Sequence, residues 1–259
     1  MDTLKLMCVL AHPDDESLGV GGTLAHYAAE GVETYLVTAT RGERGRFNEH
    51  GDRPGPDVIG RTRAAELTAA ARTLGIREVV QLDYPDGSLD AVDAAAVQDV
   101  VAGHVRRIRP QVVITFGPEG AYGHPDHIAI SQLTTAAVVR AAGPGYAVAK
   151  LYYLAWGAAT WDAYQAALKK LTSTVDGVER QATPYPDWTI TTRLETGAVW
   201  ATVWRAVQCH RTQMSIYRNL EHLAPEHHRS LWGRQEFYRA FSLVNGGRTL
   251  ETDLFEGLR

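Results

Sequence analysis

The chain has 259 residues, 45% of them hydrophobic, 22% charged and 8% aromatic, which is enough apolar material for a globular core and excludes a disordered or collagen-like chain. Its 26 basic and 30 acidic side chains leave a formal net charge of -4, without the broad positive field that holds nucleic acid or an anionic membrane. The two cysteines, Cys8 in an apolar run and Cys209 far from it, make no disulfide framework, and the opening apolar run of about eight residues is too short to cross a bilayer, so a soluble cytoplasmic protein is expected.

Residues 4–11 (LKLMCVLA) are a continuous apolar run ending at Pro13, the pattern of a strand buried on both faces. A helix over 18–30 follows, with Ser17 as its N-cap and Gly31 as its stop. A second strand covers 33–39, a long polar loop runs over 40–57, and a helix over 61–75 stops at Gly75. Residues 78–82 form a third strand before the turn YPDGS, residues 91–108 a helix, 111–116 a fourth strand and 126–142 a helix. This alternation predicts an α/β fold, a Rossmann-like three-layer sandwich with a mostly parallel sheet in the order 3-2-1-4-5. Beyond Lys150 the pattern is less regular, with strands expected over 150–156 and 188–193 and a helix over 196–209; all six tryptophans fall here. With no evident linker or repeat, residues 1–259 read as one domain, a core over 1–150 and a C-terminal elaboration over 151–259.

Two clusters carry chemistry. His12-Pro13-Asp14-Asp15-Glu16 follows the first strand and Gly123-His124-Pro125-Asp126-His127 follows the fourth. Strands one and four are neighbours where the winding reverses, so both loops meet at the carboxyl ends of the strands. Three imidazoles and three aspartates there suit a catalytic Zn2+ or similar divalent ion bound by two histidines and one carboxylate. The plain alternative is that Asp14, Asp15 and Glu16 favour the positive end of one helix while Asp126 caps another, but capping gives no reason for His12, His124 and His127.

A-H-P-D-D-E at 11–16 with G-H-P-D-H at 123–127 resembles the LmbE-like de-N-acetylase superfamily, which includes N-acetylglucosaminyl-phosphatidylinositol de-N-acetylase and the deacetylases of mycothiol and bacillithiol biosynthesis. Weaker echoes are residues 40–45 (TRGERG), Arg63-x-x-Glu66-Leu67, residues 84–87 (YPDG) and His210-x-Thr212-Gln213. The resemblance implies His12, Asp15 and His127 as zinc ligands, with Fe2+ or Co2+ as substitutes, Asp14 as general base, and His124 as a cation facing the oxyanion and the leaving amine. It places Asp86 on sugar hydroxyls, Arg63 on the aglycone, and His210 and Gln213 on the far wall of the pocket. Beside it, Asp126 is expected either to hold His124 in its cationic form or to cap a helix, and Tyr122 either to donate to the oxyanion or to pack on the core. The loop 41–53, with Arg41, Arg44, Arg46 and Arg53, reads as a lid for an anionic group or as a plain surface loop.

The function expected is a zinc-dependent de-N-acetylase of an N-acetylglucosaminyl conjugate, in bacterial thiol biosynthesis, with another N-acyl sugar or an antibiotic intermediate as the alternative substrate. Its partner is a small acetamido sugar, with no nucleic acid and no membrane; a homo-oligomer is compatible with the composition. A nucleotide-binding module, suggested by Gly19-x-Gly21-Gly22, is the remote rival, as is a metal-binding protein without catalysis.

Overall fold

The computed structural model describes residues 3–47, 53–168, 172–175, 177–247 and 249–259. The elements run in chain order β1 (Lys5–Leu10), α1 (Asp15–Ala29), β2 (Glu33–Thr40), α2 (Pro56–Leu74), β3 (Glu78–Tyr84), α3 (Ala94–Ile108), β4 (Val112–Phe116), a four-residue turn α4 (Gly120–Gly123), α5 (Pro125–Ala141) and β5 (Lys150–Ala155). The C-terminal part adds α6 (Ala158–Leu168), β6 (Thr172–Val175), β7 (Val178–Gln181), β8 (Thr192–Glu195), α7 (Trp200–Val207), α8 (Met214–Glu221), α9 (Pro225–Trp232) and β9 (Arg234–Ser242).

The main sheet has the order β3-β2-β1-β4-β5-β9-β8. Its first five strands are parallel, as the alternating pattern predicts, and β9 and β8 extend it antiparallel. At the centre Cys8 pairs with Leu36 on one side and Ile114 on the other. These strands are buried on both faces because α1, α2 and α7 pack together as one layer and α3 with α5 as another. A second apolar cluster around Tyr164, Val203, Tyr217 and Trp232 joins α6, α7, α8 and α9. A buried ion cluster fastens the chain's end to β5: Glu251 receives Lys150 at 2.7 Å, Arg239 at 2.7 Å and the Tyr152 hydroxyl at 2.7 Å.

Several expectations need correction. Helix α1 starts at Asp15 with Asp14, not Ser17, at its N-cap position; Ser17 lies inside the first turn and donates to Glu16. Helix α2 begins at Pro56, five residues before the expected start, because Gly55 and a first-turn proline supply the entry. The strand expected over 188–193 is a 3-10 turn at Asp187–Thr189 followed by β8, and the helix expected over 196–209 is the shorter α7. Strand β9 was not expected. In the long loop, Glu49, His50 and Asp52 lie outside the described residues. The glycines of the nucleotide-binding rival are packing positions: a Cβ on Gly21 would meet Val203 of α7 at 3.0 Å, and one on Gly22 would meet Thr196 Oγ1 at 2.8 Å.

Candidate active site

The loops after β1 and β4 meet at the carboxyl edge of the sheet, as topology requires. His12 Nδ1 lies 3.2 Å from His127 Nε2 and 3.7 Å from Asp15 Oδ2, and His127 Nε2 lies 3.4 Å from Asp15 Oδ1. A tetrahedral ion with bonds of about 2.0–2.1 Å has ligand-to-ligand edges of about 3.3–3.4 Å; the His12–His127 edge is close to this, and Asp15 faces both imidazoles, with Oδ2 towards His12 and Oδ1 towards His127. The orientation of His12 supports the fit. Its Nε2 donates towards Asp126 Oδ2 at 3.1 Å and Asp86 Oδ1 at 3.2 Å, which leaves Nδ1 facing Asp15 and His127. Burial opposes a charge on His12, but those two carboxylates outweigh it and push its pKa up to about 10. Asp15 is also buried, yet His127 and His12 hold its carboxyl well below the usual range, and the backbone N–H of His12 orients it at 2.7 Å. His127 lies flat on Phe116, 4.0 Å between centroids and 8° between planes.

Among the described residues, the triads whose ligand atoms all lie within 4.8 Å of one another are His12 with His124 and His127, and His12 with Asp86 and Asp126; Asp15 reaches the two imidazoles of the expected set through different oxygens. In the second, both carboxylates are already engaged: Asp126 accepts from the backbone N–H of Gly87 at 2.6 Å and Leu89 at 2.9 Å, and Asp86 from that of Arg44 at 2.8 Å. Asp126 therefore does not hold His124, as expected, but His12, and it ties the β3 loop to α5. Nor does its side chain cap α5; His124 does, its Nδ1 accepting from the Asp126 N–H at 3.2 Å. That bond puts the proton of a neutral His124 on Nε2. Burial, with His12 and His127 alongside, lowers the His124 pKa to about 4.

Asp14 sits at φ 114°, in the left-handed half of backbone space that a non-glycine residue rarely enters. Its Oδ2 accepts from the Tyr217 hydroxyl at 3.1 Å and pairs with Arg63 Nη2 at 3.2 Å. Burial raises its pKa despite Arg63, the direction that suits a base near neutrality. The Asp14 N–H is accepted by Glu16 at 2.9 Å, and Glu16 is held in turn by His210 Nε2 at 2.7 Å. His210 thus lies behind the loop, fully buried, rather than on the pocket wall; Gln213 does line the cleft. Arg63, expected on the aglycone, lines the cleft but is 4% exposed, and it donates to the carbonyls of Gly42 and Pro13 besides pairing with Asp14. Asp86, expected on sugar hydroxyls, is bound to His12, which lowers its carboxyl to about 2 against the effect of its burial, although it still borders the cleft. Tyr122 follows Ala121, itself at φ 62°, and meets the rings of His124 and His127 edge-on.

The cleft over this centre encloses about 530 Å3. From the basic loop Arg44 and Arg46 face it, whereas Arg41 pairs with Asp83 and Arg53 donates to the carbonyls of Arg44 and Gly45. Sequence reasoning missed Tyr217, the Glu16 and His210 pair, and the stacking of Phe116; the HxTQ stretch was the one signal pointing towards His210.

Residues 7–138 match the family described as PIG-L, GlcNAc-PI de-N-acetylase. The chain belongs to this family. It is similar to the 1D-myo-inositol 2-acetamido-2-deoxy-alpha-D-glucopyranoside deacetylase of Mycolicibacterium gilvum, with 35% identity over 100% of this chain and 99% of the relative. Among solved structures it resembles the N,N'-diacetylchitobiose deacetylase of Pyrococcus horikoshii, with TM-score 0.66 and 19% identity over 92% of this chain and 84% of that one. It also resembles the 4-carboxy-2-hydroxymuconate hydratase of Pseudomonas putida KT2440, with TM-score 0.71 and 19% identity over 95% and 99% of the two chains. One fold thus carries both a deacetylase and a hydratase, and the site rather than the fold decides the chemistry.

Proposed function

We propose that the protein is a metal-dependent de-N-acetylase that hydrolyses the acetamide of an N-acetylglucosaminyl conjugate to acetate and a free amine. The observation that carries this reading is Asp14, whose carboxylate is held by Tyr217 and Arg63 in the same cleft that His12, Asp15 and His127 line. Those three residues would hold the ion, Zn2+ by the N and O character of the donors, with Fe2+ or Co2+ as substitutes; such an ion supplies Lewis acidity and makes a water ionisable near pH ~7.

The chain's own groups perform the rest. Asp14 accepts the proton of the water attacking the acetamide carbon, and Tyr217 and Arg63 keep its carboxylate aimed. As the carbonyl oxygen becomes negative, the Nε2–H of His124 donates to it, and Tyr122 lines the same cleft beside it. Asp14 then returns its proton to the nitrogen as the carbon–nitrogen bond breaks. Asp126 acts through His12. Asp86 and Gly87, with Arg44 and Arg46, form the sugar side of the cleft.

Similarity to relatives named for the inositol glycoside makes 1D-myo-inositol 2-acetamido-2-deoxy-alpha-D-glucopyranoside the first substrate to test, and bacterial thiol biosynthesis the setting. Both cysteines are free, which suits the cytoplasm, and among the described residues no helix is long and apolar enough to cross a membrane. Residues 1–259 are read as one domain, since β9 and β8 complete the sheet that the first 150 residues begin. The test is amine release from this glycoside, from N-acetylglucosamine and from its malate and oligosaccharide conjugates, with metal content measured on the same sample. Amine release from one of them in proportion to bound metal is expected; none from any conjugate by metal-replete protein would refute the reading.

A further inference from the structure

The cleft has two walls of opposite chemistry, and the strand order sets them apart. Its floor comes from the loops after β1 and β4, at the middle of the run β3-β2-β1-β4-β5. On the side of β2 and β3 the wall is polar, with Arg44, Arg46 and Asp86. Towards β5 it is apolar, with Leu154 and Trp156 at the end of that strand and Tyr164 and Leu168 on α6 after it; Leu18 of α1 and Ile216 of α8 face the same cleft. This apolar wall is fixed in place. The Tyr164 hydroxyl donates to the Leu18 carbonyl at 2.6 Å, and the Trp156 ring stacks on Tyr164 at 4.8 Å. Ile216, on α8 next to the Tyr217 that holds Asp14, is 42% exposed.

An amide whose carbonyl carbon lies beside Asp14 sends its amine substituent and its acyl substituent away from the scissile bond in opposite directions. With the sugar hydroxyls on the polar side, the acyl group points at the wall of Trp156, Tyr164, Leu168 and Ile216. The methyl of an acetyl group covers little of that surface, and a polyol aglycone has no use for it. We propose that this wall is an acyl pocket, and that the enzyme hydrolyses N-acyl amino sugars whose acyl group is a medium-length alkyl chain or an aryl ring, in addition to acetyl. The reaction balances as for the acetamide: water's oxygen bonds to the carbonyl carbon, the carbon–nitrogen bond breaks, the nitrogen takes a proton, and the products are the longer carboxylate and the free amino sugar. The inference rests on the de-N-acetylase reading of the same site and extends its substrate class.

The test uses the metal-replete full chain and N-acetyl-, N-butanoyl-, N-hexanoyl- and N-benzoylglucosamine, with glucosamine release followed. Each fully buried methylene is worth about fourfold in affinity, so a wall that covers half of the four extra methylenes of hexanoyl lowers KM by about 15-fold relative to acetyl. Calorimetric titration of the metal-stripped protein with N-hexanoyl- and N-acetylglucosamine should show the same ratio without any turnover. Ile216→Asp, at an exposed position that tolerates a charge, and Trp156→Ala should each collapse the hexanoyl-to-acetyl ratio in both measurements. Acetyl hydrolysis with a flat or falling response to chain length, or a ratio untouched by Ile216→Asp, overturns the acyl pocket and leaves the de-N-acetylase reading standing. No release from any member of the series, nor from the inositol glycoside, overturns both.

Discussion

Asp14→Asn separates catalysis from stability at one position. Asparagine tolerates positive φ nearly as well as any residue with a Cβ, so the turn at φ 114° is kept, and its side-chain oxygen still accepts from Tyr217 and Arg63. Lost is the ability to take a proton from water. General-base removal costs about 10²- to 10⁴-fold in rate, or about 2.7–5.5 kcal/mol of barrier. The metal stays, because the triangle of His12, Asp15 and His127 does not include Asp14. Stability should move the other way. Burial raises the Asp14 pKa above its unfolded value, so the native state favours the protonated form, and ionisation at neutral pH destabilises it. The metal-stripped variant should therefore melt higher than the parent at pH 7, and the gap should close as pH falls below the ordinary aspartate range, where both side chains are neutral. Steady-state kinetics with metal saturated and thermal unfolding of stripped protein across pH are the assays. Turnover within a few-fold of the parent would reduce Asp14 to a helix-end charge, and a lower melting temperature at pH 7 would show that its partners outweigh its burial.

Alanine at His12, Asp15 or His127 should each lower metal occupancy by elemental analysis, and full occupancy in all three would refute the ligand set. Asp126→Asn should weaken metal binding by about 10- to 100-fold, because the carboxylate orients His12 rather than His124; a chelator competition that finds parental affinity would contradict this. Glu251→Gln strips two buried cations, Lys150 and Arg239, of their counter-charge and should cost about 3–5 kcal/mol by denaturant unfolding. Since the Glu251 pKa is lowered to about 2, against its burial, by bonds from Lys150 and its neighbours, its contribution is present above the unfolded value near 4.5 and is lost as pH falls towards 2; a parental acid-unfolding midpoint in the variant would refute it.

The half of the fold that the sequence displays is the half whose strands are apolar on both faces. Residues 4–11 and 111–116 read directly as buried parallel strands, and once their order was set, the meeting of His12 with His127 across 115 positions followed from the winding rule. Strand β9 was hidden by its charges: Arg234, Glu236 and Arg239 interrupt the apolar alternation, and Glu236 is buried only because Gly157, Thr160 and Arg193 satisfy it. Helices α8 and α9 span eight residues each and are too short for periodicity to declare them. In the site, residue types and loops were legible but partners were not. Asp126 lies two positions from His124, and proximity in sequence suggested a pair; the backbone of α5 turns its carboxylate to His12 instead.

The C-terminal portion is part of the Asp14 turn rather than an ornament on the sheet. A non-glycine residue at φ 114° costs on the order of 1–3 kcal/mol and persists only where its surroundings leave no alternative. Around Asp14 those surroundings are Glu16 on its N–H, Arg63 and Tyr217 on its carboxylate, and His210 behind Glu16. Two of the four come from residues beyond 200, delivered by the turn before α8 and by α8 itself. The sheet therefore brings together His12, Asp15 and His127, the proposed metal ligands, but Asp14, the proposed base, is held only after the chain has returned from its C-terminal excursion, and the helix that delivers Tyr217 also carries Ile216 to the cleft. Holding the Asp14 carboxylate and lining the cleft are thus tasks of one helix, and a sequence change in α8 acts on both.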